Sequence, residues 1–375
     1  MNVRNVNSLN TGQRVVIKVG STLLVDRKRG VVHREWLKAL AGDIAELRGR
    51  GQEVLVVSSG AIALGRRQLG FSSGNLKLEE KQAAAASGMI RLAHAYQESL
   101  AEHDLATALV LLTIGDTENR RRYLNARNTI DQLLRSGAIP VINENDTVAT
   151  DEIRIGDNDR LAARVAAMIS ADILVVLSDV DGLYTADPRL QDGAQHIPEV
   201  KEITPEIESM AGVAKPDDGL GGMITKLEAA KISIGAGCRM VILNGHVKNP
   251  LKALEQGAPC TWFMPSTSPR TERKQWIAGS LKPSGKLVVD DGALAALKQG
   301  KSLLPAGVTD VEGMFERGDA VAICARNGQE VARGLCAYSA ADARQIKGYK
   351  SGEIERLLGY RGRDEMVHRD DMVLS

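Results

Sequence analysis

The chain has 375 residues, more than one average domain, and its 48 lysines and arginines against 47 aspartates and glutamates leave a net charge of +1. That balance excludes a protein drawn to nucleic acid or an anionic membrane by its overall field, and 43% hydrophobic with 25% charged residues excludes a disordered chain. Aromatic residues are only 3% while Gly reaches 37, so an aliphatic core and many glycine backbone positions are expected.

From Arg14 to Met264, short β-branched runs alternate with longer helical patterns. The runs are Val15–Val19, Val54–Val57, Ala108–Leu112, Ile139–Ile142, Ile173–Leu177 and Met240–Leu243. Continuous apolar runs suit strands buried on both faces, as in a parallel sheet. Trp36–Arg48, Lys81–Glu102, Tyr123–Leu134, Arg160–Ile169 and Thr225–Ile234 carry helical periodicity; Leu161, Val165, Met168 and Ile169, for instance, form one apolar face. The expected architecture is a three-layer αβα sandwich with a mainly parallel sheet, spanning residues 1–264. Two prolines and clustered charge at 265–282 read as a linker. Short strands with Gly turns then predict a small, mostly β barrel-like domain at 283–361, followed by a polar tail at 362–375.

Cys238, Cys260, Cys324 and Cys336 form no CxxC pair and have no His at zinc-ligand spacing, so they read as buried thiols of a reducing compartment. Met1 to Arg14 has no apolar leader, and the longest apolar-rich stretch, Leu105 to Ile114, is too short to cross a bilayer. A cytoplasmic protein is expected.

Ligands of an open α/β sheet bind beyond the carboxyl ends of its strands, so polar residues and glycines after each run are the candidates. Lys18 lies in the first run, just ahead of Gly20-Ser21. A lysine there is costly unless its ammonium reaches an anion; the alternative is an edge-strand lysine snorkelling to solvent. Ser58-Ser59-Gly60 opens a helix, as an anion-binding turn or a plain N-cap. It is no nucleophile elbow, because Val57 stands where that motif needs Gly. Asn143-Glu144-Asn145-Asp146 and Gly156-Asp157-Asn158-Asp159 hold the amides and carboxylates an amino-acid substrate requires, or else a site of hard oxygen ligands for a metal, although the spacing matches no calcium loop. Ser178-Asp179 ends the next run. Gly219-Leu220-Gly221-Gly222-Met223-Ile224-Thr225-Lys226 then enters a helix as a phosphate cradle, with backbone N–H groups, helix dipole and one cation. It is neither a Walker A loop nor a GxGxxG turn, which argues against P-loop kinases and dehydrogenases.

Taken together and in this order, these segments, with Tyr123-Leu124-Asn125-Ala126-Arg127 and Gly182 to Pro188, resemble the amino-acid kinase family, and within it the branch that phosphorylates the γ-carboxylate of L-glutamate. Gly285 to Gly348 resembles a PUA domain, and His368 to Met372 the terminus of that branch. The resemblance implies transfer from ATP to give L-glutamyl 5-phosphate, the first step of proline biosynthesis, with feedback inhibition by proline. It assigns Lys18, Lys226 and Asp159 to catalysis, Asp159 orienting the two lysines. Ser59, Asp146 and Asn158 would bind glutamate; Lys18, Ser178, Asp179, Leu220, Gly221, Gly222, Met223, Ile224, Thr225 and Lys226 would bind ATP, Ile224 through its backbone only. Mg2+ would be carried by ATP rather than by protein side chains. The resemblance also implies a homo-oligomer working beside glutamate-5-semialdehyde dehydrogenase. Another carboxylate substrate on the same fold, N-acetylglutamate or aspartate, is the alternative, as is RNA binding by the second domain. From Pro283 to Arg361, however, 11 basic residues face 10 acidic ones, which is no electrostatic footprint for RNA.

Overall fold

The computed structural model describes residues 8–71, 74–149, 157–211, 222–269, 271–272 and 283–374. The chain divides into two compact units, Met1–Pro269 and Arg270–Ser375.

In the first unit the strands are β1 (Arg14–Val19), β2 (Val25–Asp26), β3 (Val31–Val32), β4 (Glu53–Ser58), β5 (Thr107–Leu112), β6 (Ile139–Glu144), β7 (Ile173–Ser178), β8 (Leu183–Tyr184), β9 (His196–Ile197), β10 (Glu199–Val200), β11 (Arg239–Asn244) and β12 (Cys260–Phe263). Eight of them form one sheet in the order β10-β12-β11-β7-β1-β4-β6-β5. All six runs read from the sequence are strands of it, paired in parallel from β11 to β5. Periodicity did not reveal β12, which runs antiparallel to β11. At four residues it is too short to show a pattern.

Both faces of the sheet are covered. Val15, Ile17, Val19, Val54 and Val56 pack with Leu37, Leu40, Ile44, Leu92 and Tyr96 on one side. On the other, Val16, Leu55, Val57, Leu174 and Val176 pack with Leu161, Val165, Met168, Leu227 and Ala230. Side chains alternate along a strand, so Lys18 falls on the face of Val16, beneath the helices Asp157–Met168 and Met223–Gly235. The first part of the expected linker belongs to this unit. Ser268 and Pro269 lie so close to Gly237 (φ +75°) that a Cβ there would sit 2.4 Å from the Ser268 carbonyl carbon. Residues 270 and 273–282 lie outside the described residues.

The second unit is a five-stranded sheet, β14-β13-β15-β16-β17, built from β13 (Gly285–Val289), β14 (Val308–Gly313), β15 (Ala320–Ala325), β16 (Glu330–Cys336) and β17 (Val367–Leu374). The expected polar tail is therefore corrected: most of it is β17, paired antiparallel with β16. His368-Arg369-Asp370 gives it a polar reading, yet Val367 and Met372 enter the core. Gly334 on β16 makes the room, since a side chain there would meet Val367 Cγ1 at 2.4 Å. Three cysteines are buried thiols as expected, whereas Cys260 is only half-buried.

One helix contact stands out in the first unit. A Cβ on Gly65, in the helix Ala61–Gln68, would lie 1.8 Å from the Ala84 carbonyl oxygen, and one on Gly88, in the helix Leu78–Ala101, would lie 1.8 Å from that of Ala61. The two backbones touch through reciprocal glycines, and no rotamer change could relieve an added methyl. Gly88→Ala is expected to destabilise the unit by about 3 kcal/mol or more, read in urea unfolding.

Candidate active site

Parallel pairing brings the carboxyl ends of β1, β4, β6, β7 and β11 to one rim. Lys18 pairs in register with Val57 and Val176, Val19 with Ser58, and Asn244 with Ser178. Ser59, half-buried, and Asp146, buried, follow β4 and β6 on that rim, and buried Ser178 closes β7, donating its hydroxyl to exposed Asp179 at 3.0 Å.

Asp159 stands in the first turn of the helix Asp157–Met168, where the helix dipole favours an acid, and none of it is exposed. Its Oδ1 lies 2.5 Å from the Lys18 ammonium and its Oδ2 3.5 Å from that of Lys226. Thr225 Oγ1 donates to the same Oδ2 at 3.1 Å. Lys18 is 8% exposed and Lys226 4%, which settles the choice left open for Lys18: it pairs with a buried carboxylate and does not snorkel. Burial would raise the Asp159 pKa, but Lys18 and then Lys226 overcome it and hold the carboxyl below its usual value. Lys226 is depressed below the ordinary lysine range by burial, and Lys18 adds to this, while Asp159 and Asp179 oppose it.

Two buried ammoniums thus share one buried carboxylate, a local excess of positive charge at Asp159 itself, while Asp146 and Glu144 are also buried at the end of β6. Beside it Gly20 leaves space. A Cβ there would come 3.9 Å from Lys18 Nζ, so an anion's approach to the ammonium is not blocked by a side chain at that position. Asn158, next to Asp159, holds a buried Oδ1 that has no hydrogen-bond partner among the described residues. Gly222 is exposed and caps the helix Met223–Gly235, whose first turn carries Met223, Ile224 and Thr225, all half-buried. Leu220 and Gly221 lie outside the described residues, as does Gly156.

Such an arrangement can offer two ammoniums to an anion beside the amide and carboxylate side chains of the rim. The family model for the Amino acid kinase family matches residues 13–244, the whole of the rim just described. The chain belongs to the amino acid kinase family. A second family model, the PUA domain, matches residues 285–358. Among curated relatives of this kinase, the glutamate 5-kinase of Paramagnetospirillum magneticum is 62% identical over 99% of this chain and 100% of its own. That of Rhizobium johnstonii is 60% identical over 97% and 93%, and glutamate 5-kinase 1 of Rhizobium meliloti 60% over 98% and 93%. Among solved structures, the UMP kinase of Ureaplasma parvum has a TM-score of 0.46 at 17% identity, covering 67% of this chain and 98% of its own. A likeness that distant says nothing about the substrate.

Sequence reasoning missed the layer beneath the rim. Tyr96 is fully buried against Ser58, which opposes the upward push of burial on the Tyr96 hydroxyl. Asn143 Nδ2 donates to Met89 Sδ at 3.5 Å. Both partners sit in the helix Leu78–Ala101, where an aromatic or a Met at helical spacing reads as ordinary core.

Replacing Asp159 by Asn would leave two buried ammoniums without their counter-charge, at an expected cost of about 3–5 kcal/mol in urea unfolding. The downward shift keeps the carboxylate ionised, so its contribution is complete above its unfolded value of about 3.9 and is lost as pH falls through the lower folded value. The gap between wild type and Asp159→Asn should therefore persist on acidification to about pH 4 and close only below it.

Proposed function

We propose that the protein is a glutamate 5-kinase, transferring the γ-phosphoryl group of ATP to the side-chain carboxylate of L-glutamate. The observation that carries the reading is the Lys18–Asp159–Lys226 constellation, in a chain 62% identical end to end to a glutamate 5-kinase. In the reaction a carboxylate oxygen forms a bond to the γ-phosphorus and the bond from phosphorus to the β,γ-bridging oxygen breaks, giving L-glutamyl 5-phosphate and ADP. Glutamate's carboxyl, with a reference pKa of about 4.3, is already an anion at neutral pH, so no general base is needed.

The difficulty is charge. A carboxylate must approach a triphosphate, and the transition state spreads negative charge over the equatorial oxygens. Lys18, on the strand, and Lys226, on the helix, would meet that charge from two sides while Asp159 holds both ammoniums in place. Because the pair is desolvated before substrate arrives, little reorganisation accompanies the chemical step. The dipole of the helix Met223–Gly235 points its positive end the same way. Magnesium belongs to this reading as part of the MgATP substrate, screening phosphate charge. Among the described residues no cluster of three His, Cys, Asp or Glu side chains is arranged to hold a metal alone.

Ser59, Asp146 and Asn158 form the glutamate subsite in this reading, with the buried Asn158 Oδ1 as an acceptor for the substrate's ammonium. Proline would inhibit by competing there. Ser178, Asp179 and the segment from Leu220 to Lys226 form the nucleotide side. The lability of an acyl phosphate in water suits a homo-oligomer working beside glutamate-5-semialdehyde dehydrogenase in the cytoplasm. No helix among the described residues is long and apolar enough to cross a membrane.

A coupled ADP-release assay offering glutamate, aspartate, N-acetylglutamate and uridine monophosphate side by side should show preference for glutamate; preference for any other sinks the proposal. Lys18→Ala is expected to lower kcat by about 100-fold or more while leaving KM for glutamate within a few-fold. An unchanged kcat would remove Lys18 from the mechanism.

A further inference from the structure

Beyond Ser178 the chain leaves the main sheet, and a buried hydroxyl ties it back. Among the described residues β8 and β9 pair with each other as a separate two-stranded sheet, Leu183 opposite Ile197 and Tyr184 opposite His196. β9 runs on into β10, which the backbone of β12 holds: Glu199 pairs with Trp262, and the Trp262 N–H donates to the Pro198 carbonyl at 2.9 Å. β8 is tied differently. Thr261, on β12 and wholly buried, accepts the Leu183 N–H on its Oγ1 at 2.7 Å and donates to the Ile197 carbonyl at 2.6 Å. One hydroxyl thus serves, as donor and as acceptor, two backbone groups that face each other across the β8–β9 pair. The loop backbone lies directly on it, since a Cβ on Gly182 (φ +153°) would run into Thr261 Oγ1 and stand 2.6 Å from His196 Nε2. On the far side Tyr184 donates its hydroxyl to Asp181 Oδ2 at 3.1 Å, and its ring crosses that of His196 at 67°.

We infer that Thr261 is a positioning residue for the nucleotide side of the rim, its hydroxyl pinning β8 to the main sheet and so fixing the loop that presents Asp179. The inference rests on the kinase reading above, in which Ser178 and Asp179 meet ATP. Between the end of β7 and Leu183 lie only Asp179, Val180, Asp181 and Gly182, so a displacement of β8 has little chain in which to be absorbed. Exchanging the hydroxyl for a methyl would leave a buried N–H and a carbonyl without the partner they share, a loss that carries the desolvation of both groups. The methyl would also stand between them. β8 would then draw away from β12 to recover hydrogen bonds, and Asp179 would move with it. Glutamate's side of the rim, at the ends of β4 and β6, is built from other elements and would be spared.

The test uses the full chain, calorimetric titration with MgADP and the ADP-release assay. Thr261→Val keeps the shape and removes the hydroxyl, whereas Thr261→Ser keeps the hydroxyl. The Val variant is expected to weaken MgADP binding and raise KM for ATP by about tenfold or more, with KM for glutamate within about twofold, and the Ser variant to stay within about threefold of wild type. Amide hydrogen exchange should quicken at Leu183 in the Val variant and stay unchanged at Val175 and Val241, in the middle of β7 and β11. The inference is overturned by a Val variant with wild-type MgADP affinity, by equal losses for ATP and glutamate, by a Ser variant as impaired as Val, or by unchanged exchange at Leu183. Should Thr261→Val fail to fold, the same quantities are read in Thr261→Ala, with the same outcomes. A wild-type chain that binds MgADP but leaves glutamate untouched would refute the substrate reading, and the titrations would still judge Thr261; one that binds no MgADP would overturn both.

Discussion

A single carboxylate placed wholly out of water governs this molecule's active rim. Asp159 draws a strand lysine and a helix lysine together, and neither could be buried without it. The converse also holds, because the lysines overcome the desolvation that would otherwise neutralise the acid. The arrangement is a poor stabiliser by itself, since ion pairs brought into a protein interior roughly break even against apolar packing. In the proposed reaction its value would lie in holding charge ready in a dry place, where it would act on a ligand with little screening.

The elements around it are arranged to make that placement cheap. The sheet is apolar on both faces and supplies the rigid frame; the helix dipoles at Asp159 and Met223 point their positive ends at the rim. The reciprocal Gly65–Gly88 contact fastens the helix that begins after Ser59-Gly60 to the long helix behind it. Gly60, at φ +110°, lets the chain turn sharply from β4 into that helix. Rigidity behind the rim and glycine at its lip are complementary solutions to one requirement, a backbone that approaches a ligand closely and does not yield.

Much of this was legible in the sequence because the strongest signals are one-dimensional. Six apolar runs announced six strands, and the residues after them announced the rim, since a parallel sheet sends all its strand ends to one side. Lys18 was conspicuous as a charge inside an apolar run. What remained hidden depends on three-dimensional contact. Nothing in the spacing tells that Tyr96 lies under Ser58 or that Gly65 and Gly88 face each other. The tail was misread because His368-Arg369-Asp370 dominates its composition, while its pairing with β16 depends on the space left by Gly334.

The alternation of side chains along β1 carries a consequence of its own. Lys18 reaches Asp159 because it shares a face with Val16, under the helices that supply Asp159 and Lys226. Adding or deleting one residue between Val15 and Lys18 would turn the ammonium to the opposite face, among Leu37, Leu40 and Tyr96 and away from Asp159. The strand can therefore exchange one aliphatic residue for another but cannot change its count. Among variants of this enzyme, length differences should collect in the loops on either side of β1, and the strand itself should behave as a ruler of fixed parity.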